Sequence, residues 1–284
     1  MVAVAERVLD AVADIAPDIR AGLPGRRRYL DGENPSGEEV LAADVFADET
    51  IESALAAVEG VGTYASEERE SAVDLGEGRV SVAVDPLDGS SNLQSNNPMG
   101  TVVAVYDGDL PAPGRDLVGA GYVLYGPVTT MVAGVGAPAD ATVREYLVED
   151  GEREPVETVE LPEEPTVYGF GGRVPDWPDD VAAYVEAVEA ELKLRYGGAM
   201  IADVSQVLSY GGVFAYPTLA SSPEGKLRLQ FEGNPVAYLV EGAGGRSSDG
   251  ERSLLDVPAT GLHQRVPVYV GNDALIERLE STLA

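Results

Sequence analysis

Cysteine is absent from the 284 residues, which excludes disulfides, thiolate catalysis and cysteine-held zinc. His263 is the only histidine, so a Ser-His-Asp triad is a poor candidate. No window approaches eighteen apolar residues, and Met1 to Ile19 has neither a basic leader nor an unbroken apolar stretch. The sequence therefore reads as a soluble, cytoplasmic protein with no membrane partner. Lysine is reduced to Lys193 and Lys226 beside seventeen arginines, while Asp and Glu total 49 and the formal net charge is −30. Spread over the roughly 12,000 Å² expected for this mass, that is about one net negative charge per 400 Å². Such a surface repels nucleic acid and anionic lipid, and it suits high salt, where a Debye length of roughly 3 Å screens the self-repulsion.

What is present is enough apolar material, 44% of residues with no low-complexity tract, for one broad domain or two closely packed halves. Apolar spacing predicts a helix over Val4 to Leu23 with a break near Pro17. It predicts a second over Ser36 to Glu59, opened by a Ser36-x-x-Glu39 capping box, with Arg26 to Pro35 as the loop between them. Strand-like runs follow at Gly62 to Ala65, Val80 to Val84, Thr101 to Tyr106, Val118 to Tyr125 and Thr129 to Val135. After the acidic stretch Asp150 to Glu164, Thr166 to Phe170 is extended. Helices are expected at Asp179 to Leu194, Ala199 to Ser209, around Pro235 to Ala243, and from Asn272, with strands at Val213 to Tyr216 and Val266 to Val270. Strands and helices mix without regular alternation, which favours a layered α/β fold with mixed sheets. Residues 1–150 and 165–284 are the expected halves of one catalytic unit.

The most informative segment is Asp85-Pro86-Leu87-Asp88-Gly89-Ser90-Ser91-Asn92, where an apolar strand ends in a tight turn with two acids three residues apart. Carboxylates there suit a hard cation, and the Gly89-Ser90-Ser91 amides suit a phosphate if they open a helix. On the second helix, Asp44 and Asp48 fall on the same arc as Leu41, Val45, Ile51, Leu55 and Val58. A carboxylate in that arc needs a cation or a proton, and Asp48 is the weaker candidate of the two. Glu67 and Glu68 end a strand with diverging side chains, suited to one metal contact and one water contact. Lys226 and Arg228 share a face if Lys226 to Glu232 is a strand and, with Arg195-Tyr196, make a receptor for an anion in a chain that otherwise repels anions.

Ser66-Glu67-Glu68, the Asp85 to Asn92 segment, Arg195 to Asp203, Tyr210 to Pro217, Lys226 to Pro235, Gly244-Gly245 and His263 to Pro267 together resemble class I fructose-1,6-bisphosphatase along nearly the whole chain. The resemblance implies an α-β-α-β-α sugar phosphatase fold and magnesium-dependent hydrolysis of a sugar bisphosphate, with manganese as the alternative ion. It implies that Glu38, Glu67, Asp85, Asp88 and Glu232, with the Leu87 carbonyl, bind metal, and that Asp44 and Glu68 activate water. By the same resemblance Gly89, Ser90 and Ser91 hold the 1-phosphate, while Tyr196, Tyr216 and Lys226 hold the 6-phosphate. Met200 lines the sugar pocket and Arg195 reaches a neighbouring subunit of a homo-oligomer, dimer or tetramer. Glu38 stands where the family usually has Asp. The family's Asn-Glu-Gly-Tyr segment reads Gly171-Gly172-Arg173-Val174 here, so two phosphate contacts are missing, and Arg173 is the expected replacement. The cation-tyrosine pair that serves AMP in animal relatives reads Arg79-Val80, so AMP inhibition is expected to be weak or absent.

The related inositol phosphatases share the Asp-Pro-Leu-Asp-Gly turn and are the nearest alternative. A calcium-binding protein fails because Leu87 and Gly89 occupy the third and fifth ligand positions of an EF-hand begun at Asp85. Neither G-x-G-x-x-G in context nor G-x-x-x-x-G-K occurs, against a nucleotide fold.

Overall fold

The computed structural model describes every residue except Ser36 and Glu38, and only the backbone of Glu33. Among the described residues the helices are α1 (Val2–Gly22), α2 (Ala42–Leu55), α3 (Asn92–Ser95), α4 (Asp179–Glu189), α5 (Met200–Tyr210), α6 (Asn234–Gly242) and α7 (Asp273–Leu283).

An eight-stranded sheet runs in the order 152–158, 142–149, 129–135, 117–125, 99–107, 80–88, 61–66, 73–74. All neighbours are antiparallel except Val61–Ser66 and Val80–Asp88, which run parallel. Alternation along the central strands sorts their side chains onto two faces. Val82, Val84, Val103, Val105 and Val123 pack under α1 and α2. Ala83, Val102, Ala104, Ala120 and Tyr122 face α5 and α6. A second, five-stranded sheet (193–194, 167–170, 212–216, 268–271, 246–248) covers the other side of α5 and α6, contributing Val167, Phe214, Val268 and Val270 to the same core. Its outer face, with Tyr168, Phe170, Val213 and Tyr269, carries α4 and α7. The layers are therefore helix, sheet, helix, sheet, helix, and the middle layer is a single apolar core drawn from both halves of the chain.

Several boundaries differ from expectation. α1 continues through Pro17, because Ala13, Ala16 and Ile19 on either side are buried and their packing outweighs the bond proline cannot make. Arg26 to Pro35 is not simply a loop, since Tyr29–Glu33 pairs antiparallel with Glu39–Leu41. That pairing delays α2 to Ala42, where the Asp44 carboxylate accepts the Leu41 amide at 3.0 Å. Ser36 of the expected capping box lies outside the described residues.

α4 stops at Glu189 because Lys193–Leu194 is drawn into a parallel pair with Val167–Tyr168. Pro267, which has no amide to donate, splits the last strand. Arg265–Val266 pairs with Leu227–Arg228, and Val268–Gly271 pairs with Gly212–Tyr216. No described helix is long and apolar enough to cross a membrane.

Candidate active site

A cavity of 330 Å³ opens at the carboxyl ends of the parallel strands Val61–Ser66 and Val80–Asp88, a position where side chains leaving both strands converge. Its lining includes Tyr29, Glu39, Glu67, Glu68, Asp85, Leu87, Asp88, Gly89, Ser90, Ser91, Gly198, Met200, Tyr216, Lys226, Leu227, Arg228 and Glu232.

The expected tight turn at Asp85 is instead a bulge within the strand. Asp85 pairs with Val102 and Asp88 with Gly100, so three steps on one strand match two on its neighbour. In a regular strand, residues three apart point to opposite faces. The extra residue turns Asp85 and Asp88 toward the same cavity. The bulge is fastened locally, with the Leu87 amide donating to Asp85 Oδ1 at 3.0 Å and the Thr101 hydroxyl donating to the Pro86 carbonyl at 2.9 Å. Asp88 then accepts the amides of Met200 (3.2 Å) and Ile201 (2.9 Å) at the start of α5.

Glu67, Asp85 and Glu232 each bring one carboxylate oxygen within 4.8 Å of the others. Glu232 arrives on a π-helical turn, Leu229–Gly233, that leads into α6. The expected strand from Lys226 to Glu232 thus ends at Arg228, and the widened turn swings Glu232 back so that it accepts the Arg228 amide at 2.6 Å. The Arg228 guanidinium is buried beneath the acids, 3.9 Å from Glu67, and donates to the Lys226 carbonyl.

Burial, and then the charge of Glu67, pushes the carboxyls of Asp85 and Glu232 far above their usual range. Asp88 is raised to about 6 by burial, against the two amides that favour its charge. Glu68 lines the same cavity and accepts the Asn34 side-chain amide at 3.2 Å. Burial first, then Asp44 and Glu67, raises it to about 8. Three carboxylates this close, Asp85 and Glu232 buried and Glu67 partly so, are mutually repelled when ionised, and their all-oxygen donor set fits a hard divalent cation. Asp44 lies buried beneath Glu68 at the start of α2. Asp48 is on the same helix but belongs elsewhere, paired with Arg69 at 2.6 Å and accepting the Tyr64 hydroxyl at 2.7 Å. Glu38 lies outside the described residues.

Ser90 and Ser91 also line the cavity and precede the one-turn α3, whose own bonds start with Asn92 N donating to the Gly89 carbonyl. Gly89 has φ +73° and lies against Ala199, so a side chain there would be both strained and obstructed. Lys226 Nζ stands 5.6 Å from the Tyr216 ring centroid, and the Tyr216 hydroxyl bonds that of Tyr196 at 2.6 Å. Met200 is buried in the cavity wall, whereas Tyr196 is half-exposed outside it and Arg195 faces solvent. Arg173 is exposed, 3.6 Å from Asp176, and does not line the cavity. The substitution at 171 has another use. A side chain on Gly171 would collide with the Tyr216 ring, so the glycine makes the seat in which Tyr216 lies.

Tyr29 and Glu39 also line the cavity, and sequence reasoning passed over both. The capping-box reading had absorbed Glu39, and Tyr29 had no pattern to mark it before the Tyr29–Glu33 pairing was visible. Asn92 was visible in the Asp85 segment but was given no role.

Residues 15–151 match the model of the fructose-1-6-bisphosphatase N-terminal domain, and residues 161–284 match that of the C-terminal domain. The chain belongs to the class I fructose-1,6-bisphosphatase family. A class 1 fructose-1,6-bisphosphatase of Halobacterium salinarum is 58% identical over 100% of this chain and 98% of its own length. That of Natronomonas pharaonis is 59% identical over 97% of each, and that of Methanocorpusculum labreanum 40% over 97% of this chain and 86% of its own. The crystal structure of Leishmania major fructose-1,6-bisphosphatase in holo form superposes with a TM-score of 0.89 at 28% identity, covering 98% of this chain and 93% of that one. Family membership thus agrees with the layered mixed-sheet architecture and with an acidic cluster able to hold metal.

Proposed function

We propose that this protein hydrolyses fructose 1,6-bisphosphate at the 1-phosphate, giving fructose 6-phosphate and phosphate, the step that serves gluconeogenesis. The observation that carries the reading is one cavity with two chemically different ends. Glu67, Asp85 and Glu232 converge at one, and Lys226, Tyr216 and Met200 stand at the other. A substrate with an anion at each end fits that polarity better than a monoester.

Glu67, Asp85, Asp88 and Glu232 would hold Mg²⁺, with Mn²⁺ as the alternative, and the carbonyl of Leu87, which also lines the cavity, would assist. Bound there, the ions would neutralise the transferring phosphoryl group and raise the nucleophilicity of water. Glu68, assisted by Asp44, takes a proton from the attacking water. Burial alone keeps Glu68 protonated near neutral pH, so it can act as the base only where bound cations favour its ionised form. Gly89, Ser90 and Ser91 cradle the 1-phosphate at the N-terminal end of α3. Lys226 supplies charge to the 6-phosphate, Tyr196 and Tyr216 supply hydroxyl donors, and Met200 packs on the sugar. Arg228 lies behind the acids and holds Glu67 and Glu232 in place. Leu194 (63% exposed) and Tyr196 (42%) flank Arg195 on one surface, which supports a homo-oligomer, dimer or tetramer, in which Arg195 meets a neighbour.

The test is phosphate release in molar potassium chloride with magnesium, comparing fructose 1,6-bisphosphate, fructose 6-phosphate and inositol 1-phosphate. The bisphosphate should be preferred by orders of magnitude. Preference for the inositol ester would overturn the assignment.

A further inference from the structure

The two ends of the cavity come from segments more than one hundred residues apart, yet one residue, Gly197, joins them. Asn92, 7% exposed at the start of α3, donates from Nδ2 to the Gly197 carbonyl at 2.9 Å and to the Pro98 carbonyl at 2.9 Å. The amide of the same Gly197 donates to Asp203 on α5, at 2.7 Å to Oδ1 and 3.0 Å to Oδ2. Asp203 is 2% exposed. Gly197 follows Tyr196, whose hydroxyl meets that of Tyr216, and Asn92 follows Ser91 of the cradle. The neighbouring Gly198 has φ +82°, and a Cβ on it would lie 3.2 Å from Asn92 Oδ1, so the approach admits no other residue easily. Neither Asn92 nor Asp203 lines the cavity.

We propose that Asn92 and Asp203 are positioning residues that grip Gly197 from its two sides and so set the spacing between the Ser90-Ser91 cradle and the Tyr196–Tyr216 wall. This rests on the bisphosphatase reading above and deepens it, because only a substrate anchored at both ends depends on that spacing. Asn92 is suited to the task because its amide can donate twice, to two carbonyls of different segments, while Asp203 accepts twice from the loop.

The experiment compares two probes in molar potassium chloride with magnesium: fructose 1,6-bisphosphate, which spans both ends, and inorganic phosphate as a competitive inhibitor, which needs only the cradle. Asn92→Ala should raise KM for the bisphosphate about tenfold, the loss expected for one or two hydrogen bonds, and leave the inhibition constant of phosphate within about twofold. Asp203→Ala should do the same, and Asp203→Asn, which keeps one acceptor, should be milder. The double variant Asn92→Ala/Asp203→Ala should be no worse than the more severe single, since both act through one residue, Gly197, held by its carbonyl and its amide.

An unchanged KM in Asn92→Ala and Asp203→Asn would overturn the proposal. So would phosphate affinity falling by the same factor as bisphosphate affinity, or fully additive effects in the double variant. Wild-type protein that releases no phosphate from the bisphosphate would remove the functional reading itself, a failure visible before any variant is made.

Discussion

Removing divalent metal should invert the normal dependence of stability on pH. In the metal-free site Glu68 is raised from 4.5 to about 8 by burial and by Asp44 and Glu67, and Asp85 and Glu232 are raised for the same kind of reason. Between 4.5 and 8 the folded protein keeps a proton on Glu68 that the unfolded chain has released. Stability is therefore lost as pH rises through that window, opposite in sign to a salt-bridged carboxylate. Over 3.5 pH units at about 1.36 kcal/mol each, Glu68 alone accounts for about 5 kcal/mol, comparable with the whole stability of many domains. A bound divalent ion should cancel the effect by compensating the ionised carboxylates. The assay is urea unfolding in molar potassium chloride at pH 5 and pH 8, with a chelator or with excess magnesium. The metal-free protein should be less stable at pH 8 by several kcal/mol, and magnesium should restore most of that. Metal-free stability that is level or rising from pH 5 to pH 8 would show that these carboxyls do not share one buried site.

Glu232→Gln removes the negative charge of one of the three converging carboxylates and should weaken magnesium binding by at least about tenfold, measured by calorimetric titration, with turnover falling in parallel. Asp48→Ala breaks the contacts with Arg69 and Tyr64 and should cost about 2–4 kcal/mol in chemical denaturation, while leaving turnover of the folded fraction close to wild type. Arg173→Ala should leave KM for the bisphosphate unchanged, because Arg173 is exposed and outside the cavity. A several-fold rise in KM would return it to the site.

The apolar layers were legible because period-two and helical spacing report burial directly: Val82 and Val84 against Ala83, or Leu41 and Ile51 on α2, sort themselves by face. The site was legible chiefly through the Asp85 segment and the resemblance, since acids are so abundant here that Glu67 and Glu232 carry no signal alone. What stayed hidden depended on pairing at a distance. Tyr29–Glu33 captured Glu39–Leu41 and displaced the start of α2. The bulge that aligns Asp85 with Asp88 exists only in register with Val102 and Gly100. The π-helical turn that brings Glu232 back onto Arg228 is equally invisible in an alternating sequence that spells a strand. Asp48 had the same position on the helical wheel as a site residue, and only the arrival of Arg69 gave it a structural role.

One tension remains between a net charge of −30 on a 12012 Å² surface and a multiply anionic substrate. In dilute buffer the Debye length is about 10 Å, so acids well away from the cavity still oppose the approach. Near molar salt it is about 3 Å, and only the groups lining the cavity are felt. Lys226 and the cradle amides act at contact distance and are little weakened by that screening. Salt should therefore raise kcat/KM here, where in an enzyme that attracts its substrate by long-range positive charge it would lower it. Measured from 0.1 to 2 M potassium chloride, with a neutral osmolyte series to separate refolding from screening, kcat/KM should climb and then level off. A steady decline in protein that stays folded would mean that the acids around the cavity do not oppose the substrate, and that its capture depends on long-range attraction the charge distribution does not provide.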